Sequence, residues 1–256
     1  MAGKTYKTRG IVLRKTKLAE KDLIVTILDE TGSLVRAVAK GARKPGGSYA
    51  ARLELFSIVD LMLAQGKNLD VITGATFTDE ATRSPLGVEQ AACASALAEL
   101  LATIAQEDLP HERLYAMSKA AFEGIANHDP ALSLALTCSA LLKALAYAGF
   151  RPSFASCIAC GNSIDLAHAP STVPFSVAEG GVTCDNCPRP SDALSVDAST
   201  IQWCEALMRS RFEEVLAYEP PITALFDSLH LIHQWTRVHA NKNLKSLDFL
   251  LSSGLF

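Results

Sequence analysis

A chain of 256 residues, 49% hydrophobic and 20% charged, can bury one large core or two moderate ones and is too apolar for a disordered segment. Its formal net charge of -3 hides a division: residues 1–52 carry twelve Lys and Arg against four acids (Glu20, Asp22, Asp29 and Glu30), or +8, and the remainder sums to -11. Such a split points to a polyanion-binding N-terminal unit joined to an acidic body. Residues 1–9 are polar and basic with no apolar run behind them, so a secretory leader is not expected and a cytoplasmic location is; a secreted disulfide framework is disfavoured.

From residue 6 to 78, runs rich in Val, Ile, Leu and Thr alternate with Gly-containing turns. They predict five strands, at 8–15, 23–28, 34–39, 56–64 and 71–78, with turns at Asp29-Glu30-Thr31-Gly32 and Gly66-Lys67-Asn68. Five short strands with a longer third connection suit a closed barrel of the OB type; an SH3-like barrel is the alternative. The long connection, from Lys40-Gly41-Ala42-Arg43-Lys44 through Pro45, Gly46, Gly47 and Ser48, combines three cations with three glycines. Arg36 and Lys40 share a phase on the third strand, Arg9 and Lys15 share one on the first, and Lys17 and Lys21 extend the positive field.

The candidate phosphate-binding set is therefore Arg9, Arg14, Lys15, Lys17, Lys21, Arg36, Lys40, Arg43 and Lys44. Any one of these reads more simply as a solvated surface cation. The set does not, because solubility needs no excess of eight charges of one sign on about fifty residues. The unit offers few aromatics (Tyr6, Tyr49, Phe56, Phe77), and the two Phe read as core, so binding should be mostly electrostatic and sequence-tolerant.

Beyond a boundary near residue 80 the period becomes helical. Ser84-Pro85 supplies an N-cap and a first-turn proline, and Cys93, Leu97, Leu100, Leu101 and Ile104 fall on one face. A second helix is expected over 110–127. Asp129-Pro130 opens a third reaching Ala148, with Gly149 as its stop. That third helix is apolar nearly all round, with Lys143 its only charge; its Ser133, Thr137, Ser139 and many alanines favour a helix enclosed in a soluble bundle over a membrane span. Further helices are expected at 196–217, 221–239 and 246–251, with a short hairpin at 174–182. The fold class is thus α+β and multidomain: an OB-type barrel at 1–80, a helical domain at 81–152 and 193–256, and a module at 153–192 inserted into it.

The inserted module holds Cys157-x-x-Cys160 and Cys184-x-x-Cys187. A two-residue gap lets both thiolates of a knuckle reach one ion, and two knuckles supply the four sulfurs of a structural Zn²⁺ site with no open catalytic position. Redox pairs or structural disulfides are the alternatives, but neither knuckle has the strand-to-helix setting of a redox motif. His168 lies between the knuckles as a substitute ligand. Cys93, Cys138 and Cys204 read as buried small hydrophobes.

Other motifs fail. Gly3-Lys4-Thr5 lacks the glycine and strand that precede a phosphate loop, and Tyr115 stands where a zincin helix beginning at His111-Glu112 needs its second histidine. For His230, His233 and His239 no carboxylate partner is evident nearby, so they read as surface or core histidines. No nucleophile elbow, dinucleotide fingerprint or paired-carboxylate constellation is present, so no enzymatic activity is expected.

Gly10-Ile11-Val12-Leu13, Glu20-Lys21-Asp22-Leu23-Ile24-Val25, Lys40-Gly41-Ala42-Arg43, Leu145-Ala146-Tyr147-Ala148-Gly149-Phe150-Arg151-Pro152 and the two cysteine knuckles, in this order, resemble the RecO family of bacterial DNA repair proteins over nearly the whole chain. The resemblance implies a recombination mediator of the RecF pathway, located with the nucleoid, with an OB fold, a helical domain and a zinc-binding module. It further implies binding of single- and double-stranded DNA, annealing of complementary strands, and action with RecR to let RecA replace single-strand binding protein. The acidic C-terminal tail of that binding protein is expected on the helical domain, at Leu142, Lys143, Tyr147, Phe150 and Arg151. Two other classes stay open at this point: an adaptor whose basic barrel docks on an acidic protein, and a zinc enzyme.

Overall fold

The structure is a computed structural model that describes residues 4–18, 20–44, 49, 52–78 and 86–256. The Ser84-Pro85 cap, the boundary near residue 80, Gly3 of the failed phosphate motif, and Pro45 to Ser48 of the basic connection lie outside the described residues. Contacts divide the chain into one unit of residues 1–87 and 97–127 and another of residues 88–96 and 128–256.

The first unit is built on β1 (Thr5–Lys17), β2 (Leu23–Asp29), β3 (Leu34–Ala39), β4 (Ile58–Ala64) and β5 (Asp70–Phe77). They close as β1-β2-β3-β5-β4, all pairs antiparallel except β3 with β5. This is the OB barrel expected from the period-two pattern, and the SH3-like alternative falls. Val12, Val25, Ile27, Ala37, Ala39, Val59, Leu61, Leu63, Ile72 and Ala75 alternate inward to fill it. The first turn forms because Asp29 Oδ1 accepts from the backbone N–H groups of Thr31 (3.0 Å) and Ser33 (3.0 Å), as Asp does in a local side-chain turn. Gly32 at φ +84 completes it, and a Cβ there would stand 2.1 Å from the His111 carbonyl oxygen. The second turn is pinned by the Gly66 N–H donating to Asp70 Oδ1 at 3.0 Å.

Helices α1 (Val88–Ile104) and α2 (Glu112–Asn127) follow. Residues 97–104 of α1 and all of α2 group with the barrel. Phe56, held at φ +70 between the basic connection and β4, stacks on Phe122 of α2 with centroids 5.8 Å apart.

In the second unit, α3 (Pro130–Tyr147) is capped by Asp129, whose Oδ1 accepts from Leu132 N–H at 3.1 Å, and is followed by Gly149 at φ +86, as the Asp-Pro and Gly signals predict. It packs on α4 (Ala198–Arg209), α5 (Phe212–Tyr218) and α6 (Ile222–His239), and α7 (Lys245–Ser252) packs on α6. The apolar surface of α3 is buried in that bundle along with its Ser133, Thr137 and Ser139 hydroxyls; Ser139 donates to Leu207 O at 2.6 Å. α3 is long and apolar enough to cross a membrane by length and composition, and its burial among helices accounts for that composition.

Two expectations need correction. The helix expected over 196–217 is two helices, because Ser210 is extended and the Arg211 N–H donates to Glu214 Oε2 at 2.7 Å, starting α5 afresh. Its first residues instead form β8 (Leu194–Asp197), which pairs with β6 (Thr172–Ser176). With β7 (Gly181–Val182), the expected hairpin thus becomes a three-stranded sheet, β7-β6-β8.

Candidate functional site

The cysteine centre is assembled by three elements. Gly161 at φ +76 turns the first knuckle so that its N–H donates to Cys157 O at 2.8 Å. The second begins at the end of β7, with Cys187 N–H donating to Cys184 O at 3.2 Å. Ile158 N–H donates to Val182 O (2.9 Å), tying the first knuckle to β7, and Cys184 N–H donates to Cys157 Sγ (3.3 Å). The Sγ atoms of Cys157, Cys160, Cys184 and Cys187 lie within 4.8 Å of one another. Sulfurs about 2.3 Å from a tetrahedral ion stand about 3.8 Å apart. Cys160 and Cys184 are 3.8 Å apart, so this donor set fits a four-thiolate metal.

Burial alone would raise the Cys157 thiol, but the N–H groups of Cys184, Cys160 and Ala159 outweigh it and pull the thiol down to about 6, while hydrogen bonds with the Cys184 and Cys160 sulfurs push the Cys187 thiol up to about 12, so without a metal the first proton lost comes from Cys157. Burial pushes Cys93 and Cys204 up to about 12 and Cys138 well above the ordinary value, as inert core thiols require. His168 stands outside the four-sulfur group and is exposed, its Nδ1 2.7 Å from Asp165 Oδ2.

The centre is fastened to the bundle by aromatic packing. Phe154 stacks on Phe175 of β6, Phe175 meets Trp235 of α6 (each pair 5.8 Å between centroids), and Trp235 lies 4.1 Å from His239. Trp235 Nε1–H donates to Phe150 O (2.9 Å), and His239 Nε2 is 2.7 Å from Val177 O. Sequence reading found no carboxylate for these histidines. Asp248 is one, its Oδ1 2.8 Å from His233 Nε2, brought across from α7.

On the barrel, the cations sort by face. Arg14 of β1 pairs in register with Thr26 of β2, and Thr26 with Arg36 of β3, giving a cross-strand row. Arg14 and Arg36 are exposed, and β3 alternates Arg36 against the core residues Ala37 and Ala39, so this row faces outward. Arg9 and Lys15 do not share a face. A bulge between Val12 and Arg14 shifts the register; Arg9 then pairs with outward Asp60, and Lys15 with Val25 of the core. Both are also in ion pairs, Arg9 with Asp60 (2.9 Å) and Lys15 with Glu54 (2.8 Å).

At one end of the row, the β1–β2 connection and the turn after β3 are joined. Gly41 N–H donates to Asp22 Oδ1 (2.7 Å), and Arg43 donates from N–H to Lys21 O (3.1 Å) and from Nη1 to Glu20 O (2.9 Å). Lys21, Lys40 and Lys44 line a cavity of about 520 Å³ there with Glu20, Asp22 and Gly41. Lys17 is exposed at the end of β1. Of the aromatics, Tyr6 donates its hydroxyl to Asp70, and Phe77 and Tyr49 pack against the core.

Residues 1–81 match the profile of the N-terminal domain of recombination protein O, and residues 88–248 that of its C-terminal domain. The chain belongs to the RecO family. Two RecO proteins from Bifidobacterium longum, of strains DJO10A and NCC 2705 and both described as DNA repair protein RecO, are each 31% identical over 250 residues, covering 96% of this chain and 98% of theirs. On the surface that RecO resemblance assigns to a partner tail, Leu142 is buried. The Lys143 ammonium turns inward, donating to Ser139 Oγ and to Leu207 O (2.8 Å), 4.9 Å above the Phe212 ring; burial lowers it to about 8, against the pull of Glu214. Tyr147 and Phe150 are half-buried and Arg151 is exposed.

Proposed function

We propose that this RecO-family protein binds single- and double-stranded DNA on the outer face of its barrel and anneals complementary strands. The observation that carries the reading is the outward row Arg14–Thr26–Arg36, with Lys21, Lys40 and Lys44 lining the cavity beyond its end and exposed Lys17 and Arg43 taken as extending the field; no aromatic is described on the row. Such a strip neutralises phosphates, releases counterions and lowers the repulsion between two strands, which needs no covalent chemistry. Among the described residues the row carries no stacking ring, which favours backbone over base recognition.

In this reading Cys157, Cys160, Cys184 and Cys187 hold one Zn²⁺, which supplies folding energy to the module between α3 and α4. With RecR the protein helps RecA displace single-strand binding protein, in the bacterial cytoplasm at the nucleoid. The acidic tail of that binding protein docks at Tyr147, Phe150 and Arg151, with Leu142 and Lys143 supporting the surface from within. The test is annealing of complementary strands coated with single-strand binding protein. Arg14→Glu with Arg36→Glu should abolish annealing while leaving fold and metal content intact; undiminished annealing would refute the assignment of this face.

A further inference from the structure

The four cysteines are not equivalent. Cys157 is 2% exposed, Cys184 and Cys187 are partly covered, and Cys160 is exposed. The most exposed cysteine of the four therefore belongs to the first knuckle, and the Cys184 sulfur 3.8 Å from its own belongs to the second. We infer that Cys160 is the entry point for a hydroperoxide, and that its oxidation joins it to Cys184 in a disulfide that expels the metal and replaces it as the link between the knuckles. The inference rests on the metal reading above.

The chemistry balances. The Cys160 thiolate attacks a peroxide oxygen, the O–O bond breaks, and a sulfenic acid forms as the peroxide's other oxygen leaves, protonated by solvent, as water or an alcohol. The Cys184 thiolate then attacks the Cys160 sulfur, the S–S bond forms, the S–O bond breaks, and hydroxide leaves to be protonated to water. Two thiolates lose two electrons and the peroxide gains them. A divalent ion left with only the Cys157 and Cys187 thiolates has lost half its ligands and dissociates. Cys93, Cys138 and Cys204 are buried and serve as unreactive internal controls.

The test uses the full-length, reduced, zinc-loaded protein. Metal content is measured first; hydrogen peroxide is then added while released zinc is followed with a chromogenic chelator, and disulfides are mapped by peptide mass spectrometry. Zinc release in step with a Cys160–Cys184 disulfide is expected, with circular dichroism retained and full zinc uptake restored by dithiothreitol and added zinc. Disulfides confined within the knuckles (Cys157–Cys160 or Cys184–Cys187), release with Cys160 still reduced, or a chain that unfolds as the disulfide forms would overturn the inference while leaving the metal reading standing. A reduced protein that takes up no zinc would overturn both. Because the disulfide is mapped in the wild-type chain, no variant that fails to fold stands between the experiment and its answer.

Discussion

The sorting of barrel cations by face predicts a difference that charge counting alone would not. Each phosphate contact on a single strand contributes about 0.7 to the slope of log affinity against log salt, and near physiological salt roughly 0.8 kcal/mol, or about fourfold in affinity. Arg14 and Arg36 lie in one outward row. Replacing both with Ala should therefore reduce the magnitude of the slope by about 1.4 and weaken binding roughly tenfold to fifteenfold. Arg9 is matched by Asp60 directly opposite it, so the double change Arg9→Gln with Asp60→Asn removes no net charge and should leave the slope where it was. The assay is fluorescence anisotropy of a labelled oligothymidine titrated over a series of salt concentrations, with circular dichroism confirming that each variant is folded. Equal losses of slope in the two double variants would show that the strand wraps the β1–β4 face as well, and the argument from the row would fail.

Changing Cys157 and Cys160 to Ala should remove on the order of 10 kcal/mol of metal-coupled folding energy, comparable with the stability of a whole domain. Insoluble or unfolded protein is expected, and a soluble, folded variant with impaired DNA binding would move the centre from a structural to a direct role. Lys143 has a folded-state pKa near 8, below its unfolded value of 10.5, so the unfolded chain holds more protons in between and stability should rise with pH across that window by up to about 3 kcal/mol. Urea unfolding of the wild type and of Lys143→Met at intervals from neutral pH to pH 10.5 should show their difference moving in favour of the wild type; a flat difference contradicts the buried ammonium. Gly32→Ala forces a Cβ to within 2.1 Å of the His111 carbonyl at φ +84 and should cost a few kcal/mol in thermal unfolding, whereas Gly149→Ala, at φ +86 with open space around it, should cost only about 1 kcal/mol.

The strands of the barrel and the cluster of four cysteine sulfurs were legible because each follows a strict local period: two for strands half-buried on a core, and a two-residue gap for a knuckle. Features set by distant partners were not. Lys143 reads as the basic end of an apolar helix, yet beside Ser139 its hydrogen-bond partner is a carbonyl 64 residues away. The carboxylate of His233 arrives on another helix. β8 is only four residues long and abuts α4 directly, so its alternation merges into the helical pattern. The break at Ser210 has neither Gly nor Pro to announce it, only Glu214 reaching back to the Arg211 backbone.

The bulge between Val12 and Arg14 has a genealogical consequence. Arg9 and Arg14 are separated by an odd number of positions and still both face outward, because one residue between them takes no place in the ladder with β2. Removing that residue would regularise the strand without turning Arg14 or Lys15 over. Loss of one residue here is therefore silent for the basic row, whereas a one-residue slip between Leu34 and Ala39, where the ladder is regular, would send Arg36 into the barrel. Length variation among relatives should be tolerated at the first place and purged at the second, and aligned sequences can be read for that asymmetry.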